Sequence, residues 1–250
     1  MLKLIITVTM FMTALLCRAQ VSETRKAESF SRIEVASGIE LSYKESEKAS
    51  IKVEANDGNL ADIITEVEGE TLRIFSTGNT KNVKVYVATN NVVSFKAGSK
   101  SRIVFENTIH IENISIALES GAYFNGYFKS NGLTTIETGT NTAFIGRIET
   151  ASFVGDFKNH SKVIISGTAE KATIKSATKA YCNARNFLTE NTEVDSDDSI
   201  VIITSKKKIN VNATDNASVT YFGSPKKVSI ENEDIINTKK YKRPLLIAMD

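Results

Sequence analysis

The sequence predicts an all-β fold, a β-solenoid preceded by short strands, and three observations carry the prediction. The first is a repeat. Apolar residues lead a series of similar units between about Leu118 and Gly223: Leu118, Ile136, Phe157, Ile174, Val194 and Val211. Their spacing is 18, 21, 17, 20 and 17 residues, the kind of short period that stacked β-rungs produce. The second is the content of each unit. A small or polar turn follows the leading residue: Ser120-Gly121, Thr138-Gly139, Asn159-His160, Ser176-Ala177, Ser196-Asp197 and Ala213-Thr214. A second apolar run then returns, as in Ala143-Phe144, Val163-Ile164-Ile165 and Ile200-Val201-Ile202. The third is proline, present only at 225 and 244. Long uninterrupted pairing requires that scarcity, because proline removes a ladder hydrogen bond.

A unit this short cannot bury its own apolar face, so it must stack on its neighbours. Gly, Asn and Asp suit the corners, where the backbone needs left-handed or tight conformations. Ile, Val, Phe and Leu suit the inward positions of a pleated surface. Ser, Thr, Asn and Lys are expected outside. The stack is expected from about Phe95 to Val219, with Leu118, Ile136, Ile174 and Val211 facing inward.

The elements before it follow in order. Val21 to Glu28 is polar and reads as a loose lead-in. Phe30–Val35 and Ile39–Tyr43 alternate apolar and polar residues on either side of Ser37-Gly38, as half-buried strands do. Ile51 and Val53 mark a third strand. Leu60, Ile63, Ile64 and Val67 have helical spacing, with Asp57 or Asn59 as a cap. Gly69 follows too soon for a long helix. The expectation is a short helical turn at 59–62, then a hairpin through Glu68-Gly69-Glu70 into Thr71–Phe75. Val83–Val87 is a clear strand, and Val228-Ser229-Ile230 is the last one expected.

Composition bounds the function. Of 250 residues, 41% are hydrophobic and 24% charged, an ordinary globular balance. Residues 1–19 read as a cleavable export signal. Lys3 begins it, Leu4 to Leu16 is apolar, and Cys17-Arg18-Ala19 places small residues at −3 and −1 of the cut. Cleavage leaves Gln20 first. The apolar run is short for a membrane anchor, and Leu16 disfavours lipidation at Cys17. Removing Lys3 and Arg18 takes the formal charge from +2 to near zero. Nucleic acid as a partner is therefore not expected, since it demands a concentrated basic face. Cys182 becomes the sole cysteine, without an intramolecular disulfide partner, and its place inside a repeat predicts a packing role.

The chain resembles the putative auto-transporter adhesin, head GIN domain family of secreted bacterial proteins. Four stretches carry the resemblance, which spans roughly 28–236: Phe30-Ser31-Arg32-Ile33-Glu34-Val35-Ala36-Ser37-Gly38-Ile39, Asn59 to Ile74, the turns Ala97-Gly98-Ser99, Glu119-Ser120-Gly121-Ala122 and Glu137-Thr138-Gly139, and the closing Ala217 to Pro225. It implies a right-handed parallel β-helix of two sheets, pectin-lyase-like in shape, in one domain over 28–236 with a tail at 237–250. It also implies cell adhesion, with none of the catalytic residues of the enzymes that share the shape. Asn159-His160, Ala177 and Asp197 depart from the family by replacing turn glycines.

Chemistry-bearing clusters are few, and the sequence assigns no catalytic, cofactor or metal residue. Glu193, Asp195, Asp197 and Asp198 form the densest acidic run. Asp195, Asp197 and Ser199 recur at strand period and would share a face, which is the one arrangement that suggests calcium. A solvated rung corner is the alternative. His110 and His160 stand fifty residues apart with no cysteine or second histidine beside either, which disfavours zinc. Lys206-Lys207-Lys208 reads as a solvated turn between strands or a guard against edge pairing. The function expected is a non-enzymatic, exported or cell-envelope binding module that meets a host or matrix surface or a glycan, with self-association possible. The alternative is a carbohydrate-active enzyme on a β-helix, using the acids at 193–197.

Overall fold

The computed structural model describes residues 21–57, 59–79, 81–231 and 239–241. The expected export segment, with Cys17 and Ala19, lies outside the described residues, as does the tail 237–250 apart from 239–241. The fold is all-β, about 70% strand, wound into a solenoid of about seven turns. The strands are β1 (Val21–Arg25), β2 (Arg32–Val35), β3 (Glu40–Lys44), β4 (Ser50–Asp57), β5 (Ile63–Glu68), β6 (Thr71–Ser76), β7 (Lys81–Ala88), β8 (Ser94–Ala97), β9 (Arg102–Phe105), β10 (Ile109–Ile111) and β11 (Ile114–Leu118). Then come β12 (Tyr123–Thr138), β13 (Ala143–Phe157), β14 (Lys162–Ala177), β15 (Tyr181–Asp197), β16 (Ile200–Thr214), β17 (Ser218–Phe222), β18 (Lys227–Glu231) and β19 (Lys239–Tyr241).

Each turn places one strand segment in each of two parallel ladders. The first sheet runs β7, β3, β9, the first halves of β12 to β16, β17 and β19. The second runs β6, β2, β8, β11, the second halves of β12 to β16, and β18. The stack thus extends beyond the predicted 95–219 at both ends. Spatial and chain order also differ, since β6 and β7 stack outside β2 and β3.

One inward column per sheet holds the core. In the first sheet it is Val85, Leu41, Ile103, Phe124, Phe144, Val163, Cys182, Val201 and Val219, all with no exposed surface. In the second it runs Phe95, Ile116, Ile136, Gly155, Ile174, Val194 and Val211. The predicted leaders Ile136, Ile174, Val194 and Val211 occupy this column. Leu118 and Phe157 are inward too, but two residues further along their strands. Glycine explains the slip at 157. A Cβ on Gly155 would lie 2.4 Å from Phe157 and 3.0 Å from Phe153, so the column position is empty and the rings beside it fill the space. Cys182 is buried as expected, and burial pushes its thiol up to about 12.

The two corners are built differently. At one, left-handed residues stack from turn to turn: Ser99 and Lys100, Ser120, Asn141, Asn159 and His160, Thr178 and Lys179, Asp198, Asp215. Backbone bonds tie each corner to the next, as in Asn141 N–H to the Asn159 carbonyl at 3.0 Å. Ser120-Gly121 and Asn159-His160 were placed correctly by the sequence. The pairs at Ser176-Ala177, Ser196-Asp197 and Ala213-Thr214 are strand ends, with the turn one or two residues later. At the other corner the strand simply continues, and inward hydroxyls satisfy the carbonyls that the change of direction takes off the ladder. Ser130 donates to the Glu112 carbonyl at 2.8 Å, Thr189 to Thr204 at 2.9 Å and Ser205 to Lys208 at 2.8 Å. The expectation that Ser and Thr face outward therefore fails here, because Ser130, Thr134, Thr150, Thr189, Thr192 and Ser205 are buried.

The start of the chain closes one end. The 3-10 turn Leu60–Asp62 is capped by the Asn59 side chain, which accepts from Ala61 N–H at 3.1 Å, and the hairpin β5–β6 follows as predicted. Residues 21–25 are not loose. β1 pairs antiparallel with β4, which pairs antiparallel with β7. Thus β1 ends the first sheet and β5 ends the second.

Candidate functional site

A two-turn sequence match shapes the outer surface of the first sheet. Phe124-Asn125-Gly126-Tyr127-Phe128 lies in exact parallel register with Phe144-Ile145-Gly146-Arg147-Ile148. The phenylalanines point inward. A Cβ on Gly126 would meet the Phe105 and Phe124 rings at 2.8 and 2.9 Å, and one on Gly146 the Phe144 ring at 2.6 Å. The missing side chains let the backbone settle onto those rings, and the sheet dips. A shallow groove of about 520 Å³ lies outside the dip, walled by Glu106 to Thr108 and ending at Ile164 and Ser166. The next turn carries Ile165 where the glycines stood, and the dip stops there.

Two outward columns line it. Asn125, Ile145 and Ile164 form one, which continues beyond the groove to Asn183; Tyr127, Arg147 and Ser166 form the other, which continues to Asn186. Ile145 is 38% exposed. The Arg147 guanidinium stacks on the Tyr127 ring at 4.9 Å, and its side chain is 63% exposed. The Tyr127 hydroxyl donates to Glu149 Oε1, and Lys129 Nζ sits 3.0 Å from Glu149 Oε2. The Tyr127 hydrogen bond, with Lys129 behind it, holds the Glu149 carboxyl below the usual range. Glu149 is thereby engaged on both oxygens, and its contact to Arg147 is long at 3.9 Å. The same sheet carries Tyr123, stacked by Arg102 at 4.2 Å, then Tyr181 and the 45%-exposed Ile200.

The second sheet carries a groove of about 510 Å³ lined by Val93, Ala117 and Leu133, with Arg32, Lys96 and Glu34 on its rim. The exposed Val154 lies one turn beyond Thr135 in that sheet.

The residues singled out in the sequence lie elsewhere. Glu193, Asp195 and Asp197 form an exposed row on β15. Asp195 accepts from Asn212 Nδ2 at 3.2 Å and Asp197 from Thr214 Oγ1 at 3.0 Å, so both are tied to the next turn. Ser199 does not join their face. Asp198 is left-handed at the corner, and this turns Ser199 inward, where it donates to the Ser176 carbonyl at 2.9 Å. Among the described residues no three acids, histidines or cysteines gather as a metal ion would need. His110 Nδ1 lies 3.3 Å from Glu45, and His160 is exposed at a corner. Lys206–Lys208 is not a turn between strands. It rounds the continuous corner of β16, with Lys207 Nζ 2.9 Å and Lys206 Nζ 3.7 Å from Glu190. Among the described residues no helix is long and apolar enough to cross a membrane. The sequence did not single out Gly126, Tyr127, Gly146 or Arg147. The signal for them was the Phe-x-Gly match at 124–126 and 144–146.

The fold recurs in solved structures. A putative adhesin from Parabacteroides merdae superposes with a TM-score of 0.76 at 12% identity, covering 89% of this chain and 96% of the other. A putative adhesin from Parabacteroides distasonis gives 0.71 at 11%, covering 90% and 95%. A putative lipid binding protein from the same species gives 0.70 at 14%, covering 89% and 97%. At these identities the likeness is one of fold. No curated protein matches the sequence. The sequence model of one family does match, over residues 29–225, and the chain belongs to that family, the putative auto-transporter adhesin, head GIN domain family.

Proposed function

We propose that this chain is an exported, non-enzymatic binding module that holds a surface through the outer face of its first sheet. The observation that carries the proposal is the ladder on that face. Tyr123, Tyr127 and Tyr181, with Ile145 and Ile200, stand at fixed strand spacing, and Arg102 and Arg147 are stacked on two of the rings. Rigid amphipathic rings and stacked guanidinia are the groups that carry recognition at interfaces. Two of the acids that would serve an enzyme, Asp195 and Asp197, are instead bonded to the adjacent turn. The names of the family and of the structures from P. merdae and P. distasonis point the same way.

A flat ladder makes many weak contacts, so one copy binds weakly. Clustering raises avidity by roughly 10²–10⁴ where several copies engage at once. The test is adhesion of the mature protein to host-cell, matrix and glycan surfaces as monomer and as multimer. Binding that grows on clustering supports the proposal. Turnover of a polysaccharide, abolished by replacing Glu193, Asp195 and Asp197 with Ala, would overturn it.

A second function, amphiphile binding, is favoured by the second-sheet groove, where Val93 and Leu133 lie beside Arg32 and Lys96. The name of the third structural neighbour agrees with it. Partition of the protein onto anionic vesicles, lost in Leu133→Asp, would establish it in place of the first.

A further inference from the structure

We propose that the groove over Gly126 and Gly146 is a subsite for a short acidic saccharide, with Arg147 holding the acid group. This deepens the binding-module proposal and rests on it. The chemistry of the two columns selects the ligand. One column reads amide, apolar, apolar, amide: Asn125, Ile145, Ile164, Asn183. At about 4.8 Å per rung, the amides stand roughly 14 Å apart. A pyranose ring presents an apolar face edged by hydroxyls, and Ile145 and Ile164 offer that face a two-residue apolar floor, while the amides beyond it stand where the hydroxyls of linked neighbouring sugars reach them. Asn183 Oδ1 already accepts from Arg185 N–H at 3.2 Å, which orients its NH₂ group as a donor.

The adjacent column supplies charge. Arg147 is fixed in direction by the Tyr127 ring beneath it, while the carboxylate nearest to it, Glu149, is taken up by the Tyr127 hydroxyl and Lys129. Arg147 lines the groove with an exposed guanidinium, whose fork geometry matches a carboxylate. At the other end Glu106 accepts from the Ser42 hydroxyl. A carboxylate sugar is therefore oriented with its acid at Arg147 and hydroxyls toward Glu106. Only two turns carry the glycine dip, so the deepest part accommodates one sugar ring, with neighbours on the flat sheet to either side.

The experiment is calorimetric titration of the mature protein with uronate- and sialate-bearing oligosaccharides and their neutral counterparts of equal length. Saturable binding of an acidic member is expected, with its neutral counterpart roughly tenfold weaker or more, the worth of a charge-assisted pair. Arg147→Gln should erase that difference. Ile145→Asp should abolish binding, while Val154→Asp, on the outer face of the second sheet and outside both grooves, leaves it intact. Thermal unfolding of each variant verifies the fold. Equal affinity for acidic and neutral members, no binding across the panel, or an unchanged Arg147→Gln would overturn the proposal. Multimer adhesion that survives Ile145→Asp would sink the subsite and leave the broader binding module standing.

Discussion

The rings of Phe124 and Phe144, one turn of the solenoid apart, stack at 4.8 Å with only 6° between their planes. Parallel in-register pairing sets Phe144 directly above Phe124, which brings the two rings into contact. Tyr43 and Phe105, also paired in register, meet at 55° instead, and the Phe95–Phe105 and Phe105–Phe124 pairs are tilted or edge-on. The stack fills the core beneath Gly126 and Gly146 and thereby supports the floor of the groove. Phe144→Ala should cost about 3–5 kcal/mol in urea unfolding. A loss below about 1 kcal/mol would mean that the stack does not bear on stability.

Gly146 tests the dip itself. Ala there places a methyl 2.6 Å from Phe144 Cε1, an overpacking of about 1–3 kcal/mol. Gly98→Ala is the control, since a Cβ there meets nothing within 4 Å and should stay within about 0.5 kcal/mol. Equal effects at both positions would contradict the proposed origin of the groove.

Arg25 locks the end of the solenoid. Its guanidinium, on the edge strand β1, donates to the Ile63 carbonyl, to Thr65 Oγ1 at 2.9 Å and to the Leu60 carbonyl at 2.8 Å. It therefore joins the terminal strands of the two sheets and covers carbonyls that an edge would expose. Arg25→Ala should cost about 1–3 kcal/mol and raise amide exchange in 21–25 and 51–55 before the rest of the core. Uniform exchange across the chain would rule out a local lock.

Asp215 provides a pH test. Its hydrogen bond to Asp197, and the charge of that carboxylate, raise its pKa. A carboxyl whose pKa is raised on folding favours the folded state while protonated and loses that contribution as pH rises through the folded value. Asp215→Asn should therefore stabilise the protein at neutral pH, with the gain fading in acid. Asn also tolerates the left-handed corner at φ 52°. A gain that persists in acid would contradict the pairing.

The solenoid was legible because its core repeats. Ile136, Ile174, Val194 and Val211 fall in one column and set the period. What was hidden follows from side chains that break the pattern for a physical reason. Gly155 leaves its column empty and shifted the apparent leader to Phe157. Thr189 and Ser205 look like surface residues but bond corner carbonyls inside. Arg25 makes residues 21–25 a strand through contacts some forty residues away, which no local pattern displays. The candidate site was hidden for a related reason. Its glycines resembled turn glycines, and Tyr127 and Arg147 sit on strands, whereas the eye-catching run at 193–198 holds Asp195 and Asp197, which are hydrogen-bonded to the next turn.

The most direct test of the account is adhesion of clustered mature protein carrying Ile145→Asp and Ile200→Asp together, compared with a clustered second-sheet control, Val154→Asp. All three residues are outward and partly exposed, so each variant should fold. The account predicts that the first-sheet pair loses surface binding while the control retains it. Undiminished binding by the first-sheet pair would contradict it.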